Sequence, residues 1–175
     1  PLKVLRLFYL CLTDLLVEEA YYWNYAQHPD LSYLDHPPMV AWLIWIGTTI
    51  FGNSEFGVRI GAFLSWFVTA FFVYRTSFAL FDKSTALRAA LIGAALPVFF
   101  FTGFLMTPDA PLMACWAGAV YFFQRALLQE SRPAWWGIGV CLGLGLLSKY
   151  TIALLGPAVL IFIFSERRSR RWLTR

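Results

Sequence analysis

The chain has 175 residues, of which 59% are hydrophobic and 14% are charged. An average soluble domain is about 45–50% apolar and about 25% charged, so this composition argues against a water-soluble fold. The formal net charge is +4, and the basic residues lie at the ends of apolar runs and in the last eleven residues. That placement is typical of membrane topology signals, and we expect a membrane protein with no nucleic-acid partner.

Several apolar runs approach the roughly 20 residues that a helix needs to cross a bilayer. They are continuous and not alternating, which favours helices over a barrel. The run Val4–Val17 is short and is interpreted as the outer half of a truncated first helix. Complete spans are predicted at Val58–Leu80, Leu87–Met106 and Leu112–Leu128.

The last apolar run extends from Trp135 to Phe164 and contains Lys149. The arginines at its two ends should share the cytoplasmic side with Arg75 and Arg125, which requires a hairpin that turns near Lys149. The predicted fold class is therefore all-α, a polytopic transmembrane helical bundle of about six membrane segments. We expect residues 1–175 to be the N-terminal part of a longer transmembrane domain.

Residues 18–51 are predicted to form an outer loop with interfacial helices. Between Glu18 and His36 acidic residues alternate with tyrosines, and Tyr21, Tyr22, Tyr25 and Ala26 fall on one helical face. An aromatic face beside a polar one is typical of a helix that lies in the membrane interface. The apolar run Met39–Phe51 is too short to span comfortably and is predicted to be interfacial or re-entrant.

The three cysteines, Cys11, Cys115 and Cys141, lie in apolar stretches without paired spacing. They are interpreted as small buried hydrophobic residues and not as disulfides or metal ligands.

The predicted topology brings ionisable residues to the outer face, where such groups often mark a substrate path. Each has an ordinary alternative. Glu18 and Glu19 could act as a general base or hold a cation; the ordinary alternative is that they are solvated carboxylates at the start of a helix, where its dipole favours them. Asp109 fits a functional carboxylate or an N-cap of the next span. Asp35 and His36, before Pro37-Pro38, fit an anion site at a helix start or a simple interfacial turn.

Two cations belong to the same predicted face. Lys149 stands in an apolar run and needs a partner such as a lipid headgroup or a substrate phosphate, unless it reaches the interface by snorkelling. Arg59 begins a span on the outer side, which makes it a candidate for binding an anion. The acidic and imidazole groups have no fixed metal-binding spacing, so any metal would be a hard divalent cation held by carboxylates from separate loops.

Four segments together resemble the N-terminal half of bacterial glycosyltransferases of the GT-C type, within the dolichyl-phosphate-mannose protein mannosyltransferase family that includes the aminoarabinose transferase of lipid A. They are Glu18-Glu19-Ala20-Tyr21-Tyr22-Trp23, Tyr33 to Leu43 with Asp35-His36-Pro37-Pro38, Phe51-Gly52 with Gly57-Val58-Arg59, and Thr107-Pro108-Asp109. The resemblance rests on their order and spacing and extends over nearly the whole chain.

The resemblance implies an integral membrane enzyme of the bacterial inner membrane with its active site on the periplasmic face. Such enzymes move a sugar from a polyprenyl-phosphate donor to a lipid, protein or glycan acceptor. It implies Glu18 and Asp109 as catalytic residues, with a divalent metal at these two carboxylates as an open alternative. It implies substrate binding by the following residues: Glu19, Tyr33, Asp35, His36, Arg59 and Lys149. Glu18 stands where relatives usually carry Asp.

Two other functions fit the residues. Buried charges and breaks such as Gly156-Pro157 are also typical of transporters or flippases, in which they line a path near the bilayer midplane. A membrane subunit without catalytic activity is the third reading. The predicted clustering of carboxylates at one face favours the interfacial enzyme.

Overall fold

The computed structural model describes residues 13–166 and contains helices and turns, with no strand in that range. The helices are α1 (Val17–Ala26), α2 (Met39–Phe51), α3 (Glu55–Leu80), α4 (Lys83–Ala95), α5 (Pro97–Phe101), α6 (Asp109–Leu127), α7 (Ala134–Ser148), a 3-10 turn (Tyr150–Leu154) and α8 (Leu155–Ser165). The predicted all-α class is confirmed. The predictions for Cys11 and for most of Val4–Val17 fall outside the described residues.

Side-chain caps mark the start of two helices, α3 and α4. Ser54 caps α3 by accepting a hydrogen bond from the Gly57 amide at 3.2 Å, so α3 begins three residues before the predicted Val58. Asp82 caps α4 in the same way through the Thr85 amide at 2.9 Å. These side-chain oxygens satisfy amides that have no partner within the first helical turn. The bounds of α2, Met39–Phe51, agree with the prediction.

The predicted span Leu87–Met106 is not one continuous helix in the structure, and its crossing of the membrane stays a prediction. Helix α4 ends at Ala95, Leu96 is extended with φ −63° and ψ 132°, and the five-residue α5 follows from Pro97. Proline has no amide hydrogen for the helical ladder, and its ring disfavours helical geometry at the preceding residue, so the chain breaks at Leu96-Pro97.

Membrane crossing is supported by length and composition for one helix. Within residues 13–166, only α3, with 26 residues, is both long and apolar enough to cross a membrane by itself. Helices α2 and α7 and the segment Tyr150–Ser165 are apolar but shorter. The number of membrane crossings therefore stays a prediction, as does the interfacial position of α1 and α2.

Helix α6 lies between α3 and α7. Small residues bring α7 and the 3-10 turn close together, since a Cβ atom on Gly145 would lie 2.0 Å from the Ile152 side chain. The predicted break near Lys149 is present: α7 ends at Ser148, and Lys149 is extended. Beyond it, Leu155, Val159 and Phe162 of α8 line a groove together with α6, so the chain returns along that helix.

The two described cysteines lie in this apolar packing as free thiols, with Cys141 buried and Cys115 half-buried. A second apolar cluster packs beneath α1 and joins α2, α3 and the start of α6. It consists of Tyr22, Ala26, Val40, Ile44, Val58, Ala62, Met106 and Ala110. This cluster fixes α1 over the N-terminal end of α6, where the candidate site lies.

Candidate active site

A buried ion pair between Glu19 and Arg59 holds the segments around the site together. Arg59 Nε donates to Glu19 Oε1 at 2.8 Å and Nη2 donates to Oε2 at 2.6 Å, with both side chains no more than 1% exposed. The remaining guanidinium hydrogens are donated to Thr13 and to the Asp14 carbonyl at 2.7–2.9 Å. All five donors of the guanidinium are thus used within the protein.

The Glu19 carboxylate also accepts two backbone hydrogen bonds. Oε2 accepts from the Leu16 amide at 3.1 Å, and Oε1 accepts from the Met106 amide at 3.0 Å. The resemblance implies substrate binding by Glu19 and Arg59, but in the structure neither group is accessible to a ligand. Their contacts join the start of α1, the start of α3 and the segment before α6.

Adjacent to this pair, Tyr22 lies among three carboxylates from separate segments. Burial, and then the negative charges of Glu18, Asp35 and Asp109, raise the pKa of the Tyr22 phenol to about 12. The Tyr22 hydroxyl also lies 3.3 Å from His36 Nε2. The structure thus brings both predicted catalytic carboxylates and the Asp35-His36 pair to one place, around a tyrosine that the sequence analysis did not select.

Asp35 is held by tyrosines of α1. Its Oδ1 accepts from the Tyr25 hydroxyl at 2.6 Å and its Oδ2 from the Tyr21 hydroxyl at 3.0 Å. These hydrogen bonds, that from Tyr25 foremost, lower the pKa of Asp35, because they favour the ionised carboxylate. Asp35 is therefore a fixed negative charge at neutral pH.

His36 follows Asp35 and contacts it. Its Nδ1 lies 3.1 Å from Asp35 Oδ2, an ion-pair distance when the imidazole is protonated, although the angle falls outside hydrogen-bond geometry. The ring packs edge-on against Tyr22, with centroids 5.3 Å apart. His36 therefore stands between Asp35 and the Tyr22 hydroxyl.

Tyr33 supports the loop that carries Asp35. Its ring stacks on Tyr25 with centroids 4.3 Å apart, and its hydroxyl accepts from the Asp30 amide at 3.0 Å. The same hydroxyl lies 3.1 Å from the carbonyl oxygens of Tyr25 and His28. These contacts give Tyr33 a structural role in the loop, beside the substrate-binding role that the resemblance implies.

Asp109 and Lys149 form the second ion pair of the site. Lys149 Nζ lies 2.8 Å from Asp109 Oδ1, with 37% and 46% of the two side chains exposed. The alternative use of Asp109 as an N-cap is wrong, because Asp109 is the first residue of α6 after Pro108 and its carboxylate pairs with Lys149 instead. The partner that Lys149 required thus comes from the protein itself, and the pair is open to solvent.

Metal binding has little support in the described residues. Among residues 13–166, no group of three or more His, Cys, Asp or Glu side chains is arranged to hold a metal ion. Glu18 and Asp109, the suggested metal ligands, belong to no such group.

An apolar groove begins near Asp109 and runs along α6. A cavity of about 330 Å³ between α3, α4, α5 and α6 has Ala110 and Thr102 at the Asp109 end. It shares Thr69, Val73, Phe99 and Met113 with a second cavity of about 540 Å³, which extends along α6 to Val120. We call this continuous feature the α4 groove.

Comparison with protein families decides the assignment. The family model for dolichyl-phosphate-mannose-protein mannosyltransferase matches residues 35–175, which is most of the chain. The chain belongs to the dolichyl-phosphate-mannose-protein mannosyltransferase family. The resemblance stated from the sequence is thereby confirmed.

Curated members of this mannosyltransferase family show the same relationship. The chain is 31% identical over 159 residues to the undecaprenyl phosphate-alpha-4-amino-4-deoxy-L-arabinose arabinosyl transferase of Erwinia tasmaniensis, covering 86% of this chain and 29% of that protein. The proteins of the same name from Yersinia pestis and Yersinia pseudotuberculosis are each 30% identical over 154 residues, which are 83% of this chain and 28% of each relative. The chain thus spans less than a third of the length of these relatives. No solved structure matches it significantly.

Within this family member, the carboxylates are predicted from the sequence, but the tyrosines that contact Asp35 and His36 are not. Tyr21 and Tyr25 donate to Asp35, and Tyr22 contacts His36. All three were assigned to an aromatic interfacial face. The available signal was the spacing of Tyr21 and Tyr25, which puts both hydroxyls on one side of a helix followed by an acidic loop.

Proposed function

We propose that the chain carries the donor-binding and catalytic carboxylates of a membrane glycosyltransferase. The reaction moves a sugar from a polyprenyl-phosphate donor to a lipid, protein or glycan acceptor at the outer, periplasmic face of the bacterial inner membrane. The observation that carries the proposal is the packing around Tyr22, next to the exposed Asp109–Lys149 pair. The Tyr22 hydroxyl lies 3.3 Å from His36, the Tyr22 ring shares an apolar cluster with Ala110, which follows Asp109, and Glu18 lies one helical turn before Tyr22 in α1. The family match and the named relatives support a transferase and give no support to a transporter.

The α4 groove supports a lipid-linked donor. Its lining is almost entirely apolar, and it includes Ala110, which follows Asp109 in the chain. An isoprenoid tail that leaves the bilayer for this groove stays in apolar surroundings and gains van der Waals packing against the helices. Its phosphate would then lie at the end of α6, within reach of Lys149.

Chemically, the acceptor hydroxyl attacks the anomeric carbon, and the bond between that carbon and the phosphate oxygen breaks. The hydroxyl proton passes to a carboxylate, and Glu18 is the proposed base because it is exposed at the start of α1. The electron pair of the broken bond stays on the polyprenyl phosphate. General base assistance of this kind is worth about 10²–10⁴-fold in rate.

Lys149 is proposed to stabilise the phosphate that leaves. Without donor, Asp109 neutralises the ammonium group at 2.8 Å. When the phosphate binds, Lys149 contacts both groups, and Asp109 holds the ammonium toward the developing charge, as preorganised donors do in active sites. Asp35, His36 and Tyr22 are proposed to hold the sugar side of the site, with Tyr33 supporting their loop.

The proposal is tested by sugar transfer in membranes that contain the full-length protein and labelled polyprenyl-phosphate sugars. Glu18→Gln and Asp109→Asn should abolish most transfer at unchanged expression, whereas Glu55→Gln, a carboxylate at the start of α3 outside the site, should not. Full transfer by both site variants would refute this site. Absence of transfer by the wild type from every donor tried would refute the function.

A further inference from the structure

The end of α6 opposite Asp109 carries a second cluster of polar groups, which the proposed reaction does not use. Arg75 of α3 and Arg125 of α6 both lie over the ring of Tyr121, at 5.8 and 6.0 Å from its centroid. Arg75 also lies over Phe71 at 5.8 Å. Twelve residues separate Asp109 from Tyr121, which is roughly 18 Å along a helix.

Within residues 13–166, these two cations have no anionic partner. Every Asp and Glu of the sequence lies within the described residues, and no ion pair joins any of them to Arg75 or Arg125. Both guanidiniums lie within 6.0 Å of the same ring centroid, so two positive charges are concentrated there and repel each other. A bound anion would remove this repulsion, and guanidiniums suit phosphate because their N–H groups form a planar fork.

Tyr121 adds a hydrogen-bond donor between the two arginines. Its hydroxyl accepts from Arg75 Nη2 at 3.3 Å, and its own proton has no acceptor among residues 13–166. The side chain is 7% exposed, so its ring position is fixed by packing. The phenol and the two guanidiniums are thus three hydrogen-bond donors gathered at one ring.

A second apolar groove ends at this cluster. It has a volume of about 530 Å³ and lies between α2, α3, α6 and α7, with Phe72 and Phe122 at one end and Met39 and Pro111 at the other. Phe72 and Phe122 both pack on Tyr121, with ring centroids at 5.5 and 5.2 Å. We call this feature the α7 groove; the α4 groove lies on another side of α6.

We propose that an anionic phospholipid binds here, with its phosphate on Arg75, Arg125 and Tyr121 and one acyl chain in the α7 groove. The positive charge of the two arginines favours an anionic phospholipid over a zwitterionic one, because neither arginine has a carboxylate partner among the described residues. The position of the apolar groove favours a lipid over a free anion, because Phe72 and Phe122 of its lining pack on Tyr121, over which the two arginines lie. Positive residues mark the cytoplasmic end of membrane helices, so the lipid belongs to the inner leaflet.

The test measures lipid binding to the purified protein, independently of sugar transfer. Thermal midpoints are compared in detergent alone, with added phosphatidylglycerol and with added phosphatidylcholine. Phosphatidylglycerol should raise the thermal midpoint of the wild type. The concentration needed for a given rise should be roughly tenfold to thirtyfold lower for phosphatidylglycerol than for phosphatidylcholine, as expected from two arginines at a membrane surface. The double variant Arg75→Gln with Arg125→Gln should lose this preference.

Arg88→Gln is the matched control, since Arg88 is a further exposed cation in α4 that contacts no part of the cluster. Equal preference for phosphatidylglycerol in the double variant would overturn the proposal, as would stabilisation by inorganic phosphate alone at the same concentration. If the double variant does not fold, native mass spectrometry of the wild type decides. Retention of phosphatidylglycerol over phosphatidylcholine supports the site, and equal retention refutes it.

Discussion

Glu19 and Arg59 lie 40 positions apart in the sequence and form a two-bond ion pair in which both side chains are almost fully buried. Burying two charges is costly, and the cost is met here by additional hydrogen bonds from the backbone at Leu16 and Met106 to the carboxylate. The pair therefore positions α1 and the segment before α6 on α3. The carboxylates of the candidate site extend from these same segments.

Removing one partner of this pair should destabilise the protein strongly. Arg59→Leu leaves the Glu19 carboxylate buried without its cation, which typically costs about 3–5 kcal/mol. The double variant Glu19→Leu with Arg59→Leu should be more stable than Arg59→Leu alone, because no uncompensated charge remains. Thermal unfolding in detergent measures both. A midpoint for Arg59→Leu equal to that of the control Glu55→Gln would contradict the structural role.

Glu18 offers a different kind of test, because it is exposed. Glu18→Gln should lower the rate of sugar transfer by about 10²–10⁴-fold, the usual value of a general base. Glu18→Asp should retain activity, because it keeps the carboxylate and because the resemblance implies Asp at this position. Neither change should alter the thermal midpoint. Equal loss in both variants would show that the length of the side chain, and not its charge alone, matters.

The closeness of Glu18 to Tyr22 can be checked without any substrate. The folded state raises the pKa of Tyr22 to about 12 from 10.0, with burial as the main cause and Glu18 as the next. A raised pKa means that this contribution to stability is complete below pH 10 and disappears as the pH rises toward 12. Glu18→Gln should lower the pKa of Tyr22 in an ultraviolet titration of phenolate absorbance. Tyr22→Phe identifies the Tyr22 transition, and an unchanged value in Glu18→Gln would place Glu18 farther away.

Substitution of Lys149 should lower activity without lowering stability. Its pair with Asp109 is more than one-third exposed, and exposed pairs contribute only about 0–1 kcal/mol to stability. Lys149→Gln should therefore barely change the thermal midpoint but should raise KM for the polyprenyl-phosphate donor and lower kcat. Lys149→Arg keeps the charge and serves as the conservative control. A large loss of stability with unchanged kinetics would assign the pair to folding alone.

The sequence predicted helices wherever apolar periodicity was long, and it located the turn at Lys149. It did not anticipate the break at Leu96-Pro97, because hydropathy ignores the missing amide of proline. The sequence also predicts that Glu18, Asp35 and Asp109 lie on one face, and it assigns Glu19 and Arg59 to a ligand, whereas the structure pairs them with each other. The pairing of two residues 40 positions apart can be recognised only when the fold is known. In the sequence, a charged residue beside an apolar run looks the same whether it forms a buried salt bridge or contacts a substrate.

The α4 groove gives the last prediction, because a glycine lines it where a side chain would meet open space. A Cβ atom on Gly93 has no other atom within 4 Å, and Gly93 lies in the wall of the 330 Å³ cavity. Gly93→Leu should therefore fold normally, with a helix propensity better by about 1 kcal/mol, and its side chain should occupy the space proposed for the donor tail. KM for the polyprenyl-phosphate donor should rise. Gly139→Leu is the matched control, since Gly139 in α7 is equally open but lines none of the grooves described. Unchanged kinetics in Gly93→Leu at normal stability would show that the donor tail does not bind in this groove. That result would not contradict the proposed roles of the carboxylates.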